Sequence, residues 1–465
     1  MSFLNPLILW RYPALQWWQG SRIGQLSGRL QHWGEVSWLG RSLLPMSVGL
    51  AALYIALSSQ AATGPLGLLL LAMGALTVVQ WLLCPPVPSP IHLPLGIYWG
   101  IATLATALSP VGTLAIEGWI KLTLYLLGFL LLHRIMLNPR YRNWLVAALL
   151  LTGVWVSIYG MRQVFYGAEE LATWTDPNSP LADATRVYSY LRNPNLLAGY
   201  LIPMIPIGAI AAWAWSGWGS KVFAVLATGL NALCLVNTLS RGGWLGLLGA
   251  LVVLGLLLVQ WNQIVLPMKL QKWALPTVLG IGVLTIVSAV LFVEPVQLRV
   301  MSIFAGREDS SNNFRINVWM AVLDMIRDFP VLGIGPGNDA FNRVYPLYQN
   351  PNYSALGAYS VPLELTVETG ATGACAYLWF LIVMTLHGLR RWVQLLIPRQ
   401  SQALWIAAGL SACAGMMVHG LVDTVWYRPQ VQMLWWFSVA LISAQLIPAP
   451  LEEAPAERLS HSSGH

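Results

Sequence analysis

Apolar runs of about twenty residues recur along this chain from residue 42 to residue 447, separated by polar breaks, most of them short. A run of that length, wound as a helix, crosses the ~30 Å hydrocarbon core of a bilayer. The composition agrees: 57% of residues are hydrophobic and 9% charged, against roughly 25% charged in an ordinary soluble domain. The expected fold class is therefore an all-α polytopic membrane protein whose first partner is the lipid bilayer. Hydropathy places about twelve spans, at 42–60, 63–84, 92–109, 115–132, 144–163, 196–215, 222–239, 243–260, 274–293, 363–387, 403–422 and 430–447. The net charge of +7 does not point to nucleic acid, because the basic residues are scattered at span ends.

Charge also sets the orientation. With the N-terminus inside, the clusters Arg134/Arg140/Arg142, Lys269/Lys272 and Arg390/Arg391/Arg399 all fall on the cytoplasmic side, as the positive-inside rule requires. The expected location is the inner (plasma) membrane, with both termini cytoplasmic. Residues 1–41, which mix Arg11, Arg22, Arg29 and Arg41 with Trp17, Trp18, Trp33 and Trp38, suit a segment lying on the cytoplasmic face. Their apolar start is short and lacks a small-residue cleavage site, so no signal peptide is expected. The domain organisation is then an interfacial segment at 1–41, a transmembrane domain at 42–447 and a disordered cytoplasmic tail at 448–465 rich in Pro, Glu and Ser. Two outer loops are long, 164–195 and 294–360. Within the second, Asn313 to Phe329 carries an amphipathic helix with Phe314, Val318, Ala321, Val322 and Met325 on one side. Asn312 or Asn313 can cap it, and Pro330 ends it.

Few residues could carry chemistry. The four cysteines, Cys84, Cys234, Cys375 and Cys413, lie in apolar surroundings without metal spacing, so no metal and no cofactor are expected. Gly333 to Gly337 reads as a turn, because it lacks the strand and helix context of a dinucleotide site. Arg241 stands between two apolar runs, where a guanidinium either snorkels to water or faces a polar cavity. Gly242 and Gly243 beside it allow close approach of a ligand or another helix. Arg299, Arg307, Arg315, Arg327 and Arg343 share the outer loop, and Arg241 with Arg315 could clamp an anion through two planar forks. Glu117 and Lys121, four apart in the fourth span, could neutralise one another. Glu364 and Glu368, also four apart, could pair with loop arginines, relay protons or act as a base. His419 and Asp423 have the same spacing, and Asp423 could hold the imidazole in one tautomer. Pro203 and Pro206 interrupt the sixth span, as in broken helices that line transporter sites.

Taken together, Ser240-Arg241-Gly242-Gly243-Trp244, Asn313-Phe314-Arg315 with Trp319, Pro330 through Gly337, and Glu368-Thr369-Gly370 with Gly373 resemble the O-antigen ligase/polymerase superfamily. The resemblance covers roughly residues 195–440 and implies a polytopic enzyme moving glycans from undecaprenyl pyrophosphate on the outer face. Thr173-Trp174-Thr175-Asp176-Pro177, Arg186 to Leu191 and Asn193 to Gly199 are most similar to the cyanobacterial IctB branch, described as bicarbonate transporters. The resemblance also implies a histidine near the end of the large outer loop. Here that place reads Ala358-Tyr359-Ser360, and no histidine occurs from 134 to 386. A tyrosine is a poor general base near neutrality.

The leading expectation from the sequence is thus a membrane protein supporting inorganic-carbon accumulation through an outward anion site at Arg241 and Arg315, with bicarbonate or another anion as ligand. Gly242, Gly243, His419 and Asp423 would support that site. The alternatives are a ligase- or polymerase-like glycosyltransferase acting on a lipid-linked pyrophosphate glycan, with Glu364, Glu368 or Tyr359 as its catalytic residue, and a non-catalytic membrane partner of a carbon-uptake complex.

Overall fold

The computed structural model describes residues 9, 16, 20–85, 87–168, 185–292, 294, 297, 298, 300, 301, 306–425 and 428–447. The C-terminal tail, most of the segment before residue 20, Arg299, and the Thr173 to Pro177 motif lie outside the described residues. Among those described there is no strand.

The chain is helical wherever the apolar runs predict it. α1 (Arg22–Val36) and α2 (Trp38–Leu57) meet at Ser37, whose hydroxyl accepts from Gly40 N (3.1 Å) and so caps α2. There follow α3 (Thr63–Leu83), α4 (His92–Ala107), α5 (Gly112–Met136) and α6 (Pro139–Tyr166). The proline-interrupted span is two helices, α7 (Pro194–Leu201) and α8 (Met204–Ala214), broken at Pro203. Proline has no N–H to donate and its ring crowds the preceding turn. Next come α9 (Trp218–Asn237), α10 (Arg241–Gln263) and α11 (Met268–Phe292). After the large loop stand α14 (Val361–Leu396), α15 (Gln402–Gly420) and α16 (Pro429–Ser443), with α12 (Ser310–Asp328) and α13 (Asn338–Val344) inside the loop itself. Nine helical segments among the described residues are long and apolar enough to cross a membrane. α4 and α16, at 16 and 15 residues, are shorter than a full crossing. The fold is an all-α polytopic membrane protein.

The large loop is more than a connection with one helix on it. Val318, Ala321, Val322 and Met325 of α12 are buried against Ile334, Phe341, Val344, Tyr345 and Val367, a small core of their own beside the main one. The predicted apolar face is the face used. The start differs: α12 begins three residues earlier, at Ser310, and its cap is Asp309, which accepts from Asn312 N (2.9 Å).

A break in α14 attaches this cap of helices to the bundle. Gly370 has φ 66 and ψ −173 inside the helix, a region that essentially only glycine enters. The break leaves backbone groups of α14 without helical partners, and such groups must be satisfied where water is scarce. The stretch after α12 supplies the partners. Val367 O accepts from Ile334 N (2.9 Å), Glu368 O from Gly335 N (3.0 Å), and Ala371 N donates to Pro330 O (2.8 Å). The turn read in the sequence at 333–337 is therefore a docking strip on a broken helix.

Candidate functional site

The site begins with the turn into α10. Leu239 is left-handed (φ 51), and Ser240 then caps the helix by accepting from Gly243 N (3.1 Å). This places Arg241 at the first helical position. Its Nη2 donates to Asp309 Oδ1 at 2.9 Å, with the two side chains 11% and 17% exposed. Asp309 thus serves two elements at once, holding Arg241 and capping α12.

Arg315 stands on α12, within two turns of that cap. Its Nη1 donates to Ser311 Oγ (2.7 Å) and its Nη2 to Asp423 Oδ2 (3.5 Å). Asp423 also accepts from Asn195 Nδ2 (2.8 Å), at the start of α7. The buried Nε of Arg315 has no hydrogen-bond partner among the described residues. His419, on the last turn of α15, is fully buried, and both its ring nitrogens likewise lack partners. One of them always carries a proton, so a donor is left unsatisfied at a cost of about 1–3 kcal/mol.

The ring fits because its neighbours are glycines. A Cβ on Gly242 would lie 2.8 Å from His419 Cδ2, and one on Gly199 would lie 3.3 Å from its Nδ1. One turn deeper, a Cβ on Gly415 would meet Gly246 O at 2.8 Å. Small residues of this kind let membrane helices approach closely, and here they draw α10 and α15 together under Arg241.

A second group adjoins the first through Thr424. Thr424 Oγ1 accepts from Ser360 N (3.1 Å). Glu364 accepts from Ala358 N (2.5 Å) and Glu368 from Gly337 N (2.7 Å). Both glutamates line a small cavity of about 130 Å³ together with Tyr98, Tyr125, Lys121 and Thr424.

The structure therefore brings together Arg241, Gly242, Arg315, His419 and Asp423, and it corrects several pairings expected from spacing. Asp423 does not orient His419 by a hydrogen bond; it is occupied by Arg315 and Asn195. Glu364 and Glu368 accept from backbone amides of the loop rather than from loop arginines. Lys121 pairs with Asp339 of α13 (3.3 Å), which reaches it across the docked cap, instead of with Glu117. Of the other loop arginines, Arg307 donates to Asn313 (3.3 Å), Arg327 pairs with Asp324, and Arg343 is exposed. Among the described residues, Arg241 and Arg315 are the expected arginines that face the cluster, and each is paired with a carboxylate. Gly243 serves the cap of α10 and would place a Cβ 2.5 Å from Ala198. Tyr359 stacks edge-on against Phe314 at 5.5 Å, and its carbonyl accepts from Trp319 Nε1 (3.4 Å). Asp309 and Asn195 escaped the sequence reading. Both are partners supplied by distant segments, and only the DS-type sequence Asp309-Ser310 ahead of an apolar face signalled the first.

These elements define a multi-pass helical membrane protein with a helical cap docked over a paired arginine–carboxylate cluster. Residues 223–378 match the family model described as O-antigen ligase, Wzy_C. The match takes in Arg241, Asp309, Arg315, Tyr359, Glu364 and Glu368, and supports the superfamily that the motifs resemble. No curated protein matches the chain.

Proposed function

We propose that the protein acts on a lipid-linked pyrophosphate glycan at the outer face of the membrane, transferring the glycan to an acceptor hydroxyl. The observation that carries this reading is the joining of Arg241 and Arg315, from a membrane helix and from the cap, in one nearly buried cluster within the ligase-like segment. Guanidinium forks suit the oxygens of a pyrophosphate. Asp309 and Asp423 occupy those forks, so a pyrophosphate binds by exchange. It takes the guanidiniums and frees the carboxylates, and the unpartnered Nε of Arg315 offers one further donor.

That exchange also supplies a proton acceptor. The acceptor oxygen attacks the anomeric carbon, the glycosyl–phosphate bond breaks, and the lipid pyrophosphate departs held by the arginines. The hydroxyl proton passes to the carboxylate of Asp423. General-base help of this kind is typically worth ~10²–10⁴-fold. Glu364 and Glu368 hold the cap in register.

The bicarbonate reading rests on the resemblance at residues 173–199, which lies outside the matched segment. The same arginines would then take bicarbonate, and labelled bicarbonate flux into liposomes tests it. The transfer reading is tested by expressing the chain in a bacterium lacking its own O-antigen ligase, beside Arg241→Ala, Asp423→Asn and Tyr359→His. Glycan attachment is expected with the unmodified chain and lost at least ~100-fold in the first two variants. Tyr359 is left-handed (φ 50), a conformation histidine accepts readily, so the third variant is expected to fold and to raise attachment. No attachment by either the unmodified chain or Tyr359→His would refute the reading.

A further inference from the structure

A large pocket opens beside the cluster and outside the ligase-like segment, with a volume of about 760 Å³. That is within the ~300–1,000 Å³ of ordinary ligand sites. Its floor is an aromatic shelf. Tyr190 stacks on Tyr159 with ring centroids 4.1 Å apart and planes 18° from parallel. The shelf is held from below, where Gln163 Oε1 accepts from both Tyr188 N (3.0 Å) and Ser189 N (2.9 Å). Ser189 and Arg192 are both left-handed (φ 51 and 57), and the short segment they bracket lines the pocket.

The walls are cationic and amide-bearing. Arg162, Arg192 and Arg428 line the pocket, and no carboxylate does so among the described residues. Gln430, 8% exposed, also lines it, and its Oε1 has no hydrogen-bond partner. The pocket touches the arginine cluster through consecutive residues: Leu196 lines it, and Asn195 donates to Asp423 (2.8 Å).

We propose that this pocket binds the acceptor as an anionic saccharide, an oligosaccharide bearing carboxylate or phosphate groups. Flat aromatic faces take the C–H face of a pyranose. Glutamine side chains read hydroxyls, and the arginine forks take the anionic groups. The word acceptor rests on the transfer reading above; the saccharide site does not.

The test uses the purified full-length chain in detergent and isothermal titration calorimetry with three probes: trigalacturonic acid, mannose 6-phosphate and maltotriose. At least one acidic probe is expected to bind saturably, at least tenfold more tightly than maltotriose, and the better of the two identifies the anion. The double variant Arg162→Gln/Arg192→Asn keeps polar side chains and, in asparagine, a residue at ease with the left-handed backbone. It is expected to lose at least tenfold in affinity for the acidic probe while eluting as a single species. Gln430→Leu is expected to weaken all saccharide binding. Arg241→Ala, which disables the transfer reading, is expected to leave saccharide binding unchanged, so the two ideas fail separately. Absence of saturable binding by both acidic probes, binding of maltotriose equal to theirs, or undiminished binding in the double arginine variant would overturn the proposal.

Discussion

Asp309→Asn separates the two tasks of one carboxylate and tests the exchange of an anion for it. Asp309 Oδ1 accepts from both Arg241 Nη2 and Asn312 N, each at 2.9 Å. Asparagine caps a helix about as well as aspartate, so α12 should keep its start. The bond to Arg241 changes from an ion pair to a hydrogen bond between the guanidinium and a neutral amide oxygen, which loses the carboxylate's charge but keeps the donor's. The pair is 11% and 17% exposed, so solvent screening removes part of that difference and leaves about 1 kcal/mol. If pyrophosphate binds by displacing Asp309, removing the competing charge tightens binding by the same amount, roughly fivefold in Kd. The assay is calorimetric titration of the detergent-solubilised chain with farnesyl pyrophosphate. Asp309→Ala should show a similar gain in affinity but a lower thermal midpoint, because it loses the cap as well, about 1 kcal/mol. Arg241→Ala in the Asp309→Asn background should abolish the gain. Unchanged or weaker binding by Asp309→Asn would refute the exchange, and Arg241 would then be a structural anchor for the cap.

Three further outcomes follow from the same geometry. Arg241→Lys should impair function nearly as much as Arg241→Ala at normal protein levels, since lysine offers a point charge in place of a planar fork; full activity of the lysine variant in complementation would favour a simple anchor. Gly370→Ala should destabilise the chain by at least ~1–3 kcal/mol, because φ 66, ψ −173 is closed to alanine and its Cβ would lie 2.1 Å from Val331 O. Its readouts are a lowered thermal midpoint and protease cleavage in 330–345. In a cysteine-free background, Asn350→Cys should react with an impermeant thiol reagent in intact cells and Val393→Cys should not; the reverse pattern would invert the orientation.

Much of this architecture is legible in one dimension because a bilayer imposes one-dimensional rules. Span length, the scarcity of charge and the placement of prolines act locally, so the helices fall where the apolar runs do, and Pro203 breaks the helix it interrupts. The apolar face of α12 was equally readable, since its 3.6-residue period is a property of neighbours in sequence. Partnership is different. Spacing i,i+4 suggested Glu117–Lys121 and His419–Asp423, yet Lys121 meets Asp339 and Asp423 meets Arg315 and Asn195. A charged side chain in a water-poor setting goes to whichever complementary group the packed helices bring nearest, and weak local pairs are easily outcompeted. The sequence by itself determined the helices and their order. Only the tertiary structure decided that Gly370 breaks α14, that the strip at 330–337 satisfies the broken helix, and that Arg241 and Arg315 each face a carboxylate. Those outcomes depend on contacts between segments tens to hundreds of residues apart, which no local pattern encodes.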